Sequence, residues 1–211
     1  MRTFRNRTPR ALGLTGAVAA AALLLAACGD EGGSMSGMDH DGGTASASAT
    51  GAPSAAPSAA GSFNDADVMF AQMMIPHHEQ ALEMAKLADG RAEDAGVKRI
   101  VAAVEQAQDP EIRKMRAWLK GWGRPESAGA GHSMAGMMSE QDMKKLADAK
   151  GKDFDRAFAE LMIAHHEGAV TMARDEQRDG RNAEARDLAG EVVRAQTSEI
   201  TELRKILDRL G

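Results

Sequence analysis

Two segments of the chain carry apolar side chains at a helical spacing. From Phe70 to Ala85, apolar residues and two histidines recur in steps of three and four, and similar steps run from Val97 to Trp122. Residues at this spacing share one face of a helix, and that face packs against other elements. The pattern therefore predicts two amphipathic helices joined by a short turn.

Residue types typical of helix ends delimit the first segment, and two prolines lie within the pattern. Asn64 is a candidate N-cap, and the Asp-Gly pair at 89–90 is a candidate end. Pro76 and Pro110 fall inside the two predicted helices, where proline removes a backbone hydrogen bond. We therefore expect a kink at each proline.

The second half of the folded region repeats the first. MMIPHHEQALEMAK at 73–86 matches LMIAHHEGAVTMAR at 161–174, and the offset of 88 residues continues without gaps, with 19 identities among 53 aligned positions. We predict two units, residues 63–122 and 151–210, and a short extra helix near 139–150. Two hairpins joined by one long crossover are typical of a four-helix bundle, so the predicted fold is an all-α four-helix bundle.

The N-terminal residues have the pattern of an export signal. Residues 1–10 are basic, and residues 11–27 are small and apolar, which is too short a run for a membrane span. The run ends in LAAC, which resembles a bacterial lipobox, whose cysteine is alkylated with diacylglycerol before cleavage. We predict a lipoprotein signal peptide at 1–27 and a lipid anchor on Cys28, outside the cytoplasmic membrane.

Two segments of low complexity separate the predicted parts. Residues 28–62 are rich in Gly, Ala, Ser and Met and are expected to form a flexible tether, while the Met- and Gly-rich link at 123–138 divides the duplicated domain at 63–211. Cys28 is the chain's single cysteine, so an intramolecular disulfide is excluded.

Charge excludes one class of partner. The chain has a formal net charge of −5, and removal of the four arginines in the signal leaves −9. Binding to a phosphate backbone depends on Lys and Arg, so nucleic acid is not an expected partner. The expected partners at this stage are a metal ion and the membrane through the lipid anchor, and the oligomeric state is left open.

The duplicated motif places histidines and methionines on the apolar side of its helix. Met74, His77 and Met84 fall on one stripe, and His78 lies beside it, whereas Glu79 falls on the polar side. The second copy repeats this arrangement with Met162, His165, His166, Glu167 and Met172. A single inward histidine is usually a hydrogen-bonded core residue, but four beside thioethers favour a metal site.

The second helix of each unit adds polar residues at inward positions. These residues are Gln108, Glu111, Gln196 and Glu199. One interpretation is a solvated edge of the bundle. In the other, Glu111 and Glu199 accept a histidine ring N–H and fix its tautomer, or ligate the metal directly.

The low-complexity segments contain a third set of candidate ligands. These residues are Met35, Met38, His40, His132, Met134, Met137 and Met138. A linker has no core for methionine to fill, and flexible thioethers with an imidazole favour Cu(I) over hard cations. Copper is therefore the expected ligand, with another transition metal as the alternative, and a copper-handling protein is an expected partner.

Several motifs together resemble one bacterial family. The duplicated M-I-x-H-H-E-x-A-x-x-M-A, the following A-Q-x-x-E-I and the G-M-M-S-E-x-D-M-x-x-L link are similar to the secreted domain of unknown function numbered three hundred and five. The resemblance covers residues 63–211. It implies a ferritin-like bundle that is exported or lipid-anchored, and an association with copper resistance. The functional positions implied are His77, His78, His165, His166, Met74, Met84, Met162 and Met172.

Three functions fit these features. The first is a non-enzymatic lipoprotein that binds Cu(I) through His and Met for buffering, resistance or delivery, and we favour it. The second is a ferritin-like metal-dependent oxidase, although such di-iron sites use inward Glu with Glu-x-x-His, and here the order is His-His-Glu. The third is a helical interaction module whose histidines are structural. No catalytic residues are predicted.

Overall fold

All regular structure in the described part of the chain is helical. The computed structural model describes residues 62–129 and 134–211. Its helices are α1 (Asp65–Lys86), α2 (Ala95–Gly121), α3 (Glu140–Asp148), α4 (Gly151–Asp179) and α5 (Ala183–Leu210). The predicted all-α class is confirmed. Cys28, Met35, Met38, His40 and His132 lie outside the described residues, as do the predicted signal peptide and most of the tether.

The helix starts follow from capping side chains. Asn64 caps α1, and its own N–H donates to Asp67, which forms a reciprocal capping box. Asp94 caps α2 by accepting from the N–H groups of residues 96–97, and Asn182 caps α5 by accepting from the N–H of Ala185. The predicted end of α1 at 89–90 is three residues too late, because the chain leaves the helix after Lys86 in a series of turns.

Neither proline interrupts its helix. The α-helical conformation of α1 continues through Pro76, and that of α2 continues through Pro110. A proline removes one backbone hydrogen bond, and the packed faces on either side hold these long helices together.

The four long helices pack in the cyclic order α1, α2, α5, α4, and α3 lies against α4. The side chains between them form two apolar clusters. One is built around Phe154, Phe158 and Leu203, and the other around Phe70, Met115 and Leu119. None of the helices in the two described ranges is both long enough and apolar enough to cross a bilayer.

Two buried aspartates hold α1 and α4 antiparallel. Asp67, near the start of α1, accepts hydrogen bonds of 3.0 and 2.8 Å from the N–H groups of residues 181–182, just beyond the end of α4. Asp155, the equivalent residue of α4, accepts from the N–H groups of residues 93–94, beyond the end of α1. The start of each helix therefore lies beside the end of the other, and their equivalent midpoints meet.

Candidate metal site

Two histidines of the repeat meet at the crossing of α1 and α4. The ring centroids of His77 and His165 are 3.7 Å apart, and their planes are inclined by 40°. Both side chains are buried. The contact follows from the duplication, because equivalent positions of an antiparallel pair face each other at its midpoint.

The link between the two units sets the tautomer of His77. Its Nε2 lies 3.2 Å from the carbonyl oxygen of Ala135. A carbonyl oxygen only accepts, so Nε2 carries the proton and Nδ1 carries a lone pair. That Nδ1 has no hydrogen-bond partner, and neither ring nitrogen of His165 has one.

The central imidazoles are held neutral. Burial lowers the pKa of His77 to about 3, with a further contribution from the neighbouring charge of His78. Burial also lowers the pKa of His165 well below its usual range, and the positive charge of a protonated His77 would lower it further. Neutral imidazole is the form that binds metals.

The second histidine of each motif faces a glutamate of the neighbouring helix. His78 Nε2 lies 2.7 Å from Glu111 Oε2 on α2, and His166 Nε2 lies 2.7 Å from Glu199 Oε2 on α5. The first contact is an aligned hydrogen bond, whereas the second has only the distance of one. Nδ1 of both rings has no hydrogen-bond partner.

The third residue of each motif points away from this interior. Glu79 is exposed and pairs with Arg116 at 2.6 Å, and Glu167 pairs with Arg204 at 2.7 Å. These surface ion pairs repeat with the same 88-residue offset and join the helices of each hairpin from outside. Their free-energy contribution is small, on the order of 1 kcal/mol or less.

The four inward polar residues of α2 and α5 line one small cavity. Gln108, Glu111, Gln196 and Glu199 surround a volume of about 10 Å³, which is close to the size of one water molecule. Both glutamine Oε1 atoms have no hydrogen-bond partner. The residues predicted to support the histidines therefore lie together, behind His78 and His166.

The four motif methionines do not converge on one point. Met74 is buried in one apolar cluster, and Met172 packs against that cluster. Met84 and Met162 are buried in the other cluster. Met74 and Met84 are ten residues apart on α1, roughly 15 Å along the axis. The central imidazole pair therefore has one pair of thioethers on each side, each pair drawn from both helices.

The link is docked on the histidine motifs rather than free. Gln80 donates from Nε2 to the carbonyl oxygen of Met138 and accepts from its N–H at 2.7 Å. Gly168 allows the backbone of the link to approach, because a Cβ there would lie 2.1 Å from the oxygen of Ala135. Met138 packs against an apolar cluster, so the expectation that link methionines have no core to fill is wrong at this residue.

The other two described methionines of the link, Met134 and Met137, are half-buried. Met134 lines a surface cavity of about 370 Å³ with Met73 and Pro76. The sequence analysis missed Ala135 and Gln80, because a docked backbone leaves no pattern in a glycine-rich segment. Asp67 is matched by an aspartate, Asp155, in the second copy, and this match could have indicated a shared structural role.

Within residues 62–129 and 134–211, no group of three or more His, Cys, Asp and Glu side chains is arranged to hold a metal ion. The two central imidazoles lie 3.7 Å apart between their ring centroids, and thioethers lie on either side of them along the helices.

The sequence matches a known family over most of its folded part. A model described as Domain of unknown function (DUF305) matches residues 67–207. The chain belongs to this family. No curated protein is significantly similar to this DUF305 chain.

Solved structures of DUF305 proteins share the fold. The chain is 32% identical to a DUF305 protein from Streptomyces coelicolor, with a TM-score of 0.66 over 69% of this chain and 94% of that one. A DUF305 fragment from Deinococcus radiodurans is also 32% identical, with a TM-score of 0.62 over 69% of this chain and 97% of that one.

A third relative has been solved with metals. The chain is 31% identical to CopM in its Cu(I)-bound form, with a TM-score of 0.60 over 68% of this chain and 96% of CopM. CopM has also been solved in Cu(II)-bound, Ag-bound and apo forms.

Proposed function

We propose that this protein binds copper outside the cytoplasmic membrane, as a lipoprotein anchored through Cys28, and that it buffers copper or delivers it to a partner. The observation that carries the proposal is the set of unpaired Nδ1 atoms on the four motif histidines. A buried nitrogen without a partner is costly, and four in one duplicated interior call for a common ligand.

The chemistry of the surrounding side chains favours Cu(I). Imidazole suits copper and several other metals, whereas thioether sulfur selects soft ions. In the proposal His77 and His165 are the central ligands, with Met74 and Met172 on one side and Met84 and Met162 on the other. His78 and His166 are the outer ligands, and Glu111 and Glu199 orient their rings.

Two features of the relatives support this assignment. CopM has been solved with Cu(I), Cu(II) and Ag, and it shares the fold over 96% of its own length. The DUF305 protein from Streptomyces coelicolor is described as a secreted protein. Both agree with an exported copper-binding protein.

A Cu(I) competition titration against a chromogenic chelator tests the proposal on the full chain. The double variant His77→Ala/His165→Ala should lose at least about 100-fold in affinity, because the central imidazoles are removed. Glu79→Gln is the control, since that side chain lies on the same motif but points outward. Circular dichroism should show that both variants keep their helices.

Two results would contradict the proposal. Parent-like Cu(I) affinity in the double variant would make the histidines structural. Sustained oxygen consumption by the parent with excess Cu(I) would instead identify an oxidase.

A further inference from the structure

A surface cavity lies between the first half of α1 and the end of α4. Its volume is about 360 Å³, and its lining includes Met69 and Met73 from α1 and Met172 and Glu176 from α4. Each helix supplies two side chains four residues apart, which share one face. Three thioethers and the carboxyl of Glu176 therefore border a single space, together with Asp175 and Asp179, which both pair with Arg178.

The thioethers of this cavity are accessible. Met69 is 43% exposed, which makes it the one exposed large apolar side chain in the described part of the chain. Met73 and Met172 are half-buried. Sulfur atoms at such positions can be reached by an ion from solvent without opening the core.

The carboxyl of Glu176 is buried without a donor. The residue is 2% exposed, and neither carboxyl oxygen has a hydrogen-bond partner. Burial raises the pKa of Glu176 to about 9, the nearby negative charge of Asp67 adds to the effect, and Arg186 opposes it. A buried carboxyl in this setting gains from a nearby cation that neutralises its charge.

The repeat supplies an internal comparison. At an offset of 88 residues, the four positions are occupied by Ala157, Leu161, Met84 and Ala88. Two of these are buried in an apolar cluster, and the other two pack against it. Apolar side chains therefore fill the equivalent place in the other half of the repeat. The fold itself does not require exposed thioethers or a carboxyl there.

We propose that this cavity binds a soft monovalent cation, Cu(I) or Ag(I), separately from the histidine pair. The thioethers of Met69 and Met73 are the ligands, because soft ions prefer sulfur, and Met172, which is assigned above to the histidine pair, forms part of the cavity wall. Glu176 supplies the negative charge, since Asp175 and Asp179 at the same cavity are already paired with Arg178. The site stands on this cavity alone and does not depend on a metal at His77 and His165.

Titration of the full chain with Ag(I) tests the site, with bound ions counted by native mass spectrometry. The double variant Met69→Leu/Met73→Leu keeps the side-chain volume and removes two sulfur atoms, so it should bind one ion fewer than the parent. Met172 is left intact because it also flanks the histidine pair. Met143→Leu is the control. Met143 lies on α3 and packs against an apolar cluster, so this variant should bind as many ions as the parent.

Two further measurements assign the ligands. In NMR spectra of protein labelled with ¹³C-methyl methionine, Ag(I) should shift the Met69 and Met73 methyl resonances. The shift should occur both in the parent and in the variant His77→Ala/His165→Ala. Glu176→Gln should weaken this event by about tenfold while circular dichroism stays unchanged, because one neutralising charge is lost.

The proposal is overturned if the methionine double variant binds as many ions as the parent, or if both methyl resonances stay in place. In that case the cavity is only a surface groove. Loss of the histidine-pair ion in His77→Ala/His165→Ala would still support the function proposed above, so the two failures are distinguishable.

Discussion

At the residue scale, the carboxylates behind the outer histidines decide which ring nitrogen faces the interior. Glu111 holds Nε2 of His78 at 2.7 Å and leaves Nδ1 inward. We predict that Glu111→Gln lowers Cu(I) affinity by about 10–100-fold, because an amide is a weaker acceptor and does not fix the tautomer. Chelator competition measures the affinity, and Glu79→Gln is the matched control. Parent-like affinity would mean that the glutamate is only a surface group.

Glu176 gives the apo protein a pH-dependent stability. Its pKa is raised from 4.5 to about 9 in the folded state. The folded protein therefore keeps a proton that the unfolded chain releases above pH 4.5, and stability is lost as the pH rises towards 9. The slope is at most about 1.4 kcal/mol per pH unit.

Denaturant unfolding of the metal-free protein at several pH values measures this effect. Glu176→Gln cannot ionise. Between about pH 7 and 9, where His77 and His165 are neutral in the folded and the unfolded chain, its unfolding free energy should therefore stay level while that of the parent declines. Parallel curves for the two proteins would show that Glu176 is ionised in the folded state.

At the element scale, the docked link is held over the histidines by a close backbone approach. A Cβ at residue 168 would overlap the carbonyl of Ala135, which accepts the hydrogen bond of His77. We predict that Gly168→Ala displaces the link and lowers the unfolding free energy by about 1–3 kcal/mol. Amide hydrogen exchange of residues 134–138 should become faster in the variant.

Gly190→Ala is the control for this substitution. Gly190 is also a buried helical glycine, but a Cβ there would meet only the ends of two flexible side chains, Gln177 at 3.1 Å and Arg194 at 3.4 Å. Because alanine favours the helix by about 1 kcal/mol, this variant should be neutral or slightly more stable. An unchanged exchange rate of the link in Gly168→Ala would show that the link is not held at this point.

At the scale of the whole molecule, the internal repeat makes the two motifs interdependent. His77 and His165 come from different units, and their ring centroids are 3.7 Å apart. We predict that each single alanine variant abolishes the same high-affinity Cu(I) event, and that the double variant adds little, because residues that share a ligand do not act additively. Titrations of the two single variants and the double variant measure this.

Independent half-sites would give a different result. Each single variant would then lose half of the bound copper, and the losses would add in the double variant. The link makes the two halves unequal in one respect, since Ala135 accepts from His77 while both nitrogens of His165 lack a partner.

The local pattern of the sequence was sufficient for most of the fold. Helical periodicity and capping residues such as Asn64 depend on neighbours within a few positions, so the helices and the all-α class could be predicted. The end of α1 could not, because Asp-Gly at 89–90 fits a helix end and a following turn equally well. The duplication also indicated which side of the motif helix faces inward, and Glu79 is exposed as that pattern predicts.

Only the tertiary structure decided which inward residues meet. The sequence alone determined that the histidines and methionines share the apolar side of two equivalent helices, because helical spacing fixes direction around an axis. It did not determine that α1 and α4 run antiparallel, which brings His77 to His165 and divides the methionines between two clusters. The docking of the link and the burial of Glu176 depend on residues distant in sequence, and such contacts follow from packing and leave no local pattern.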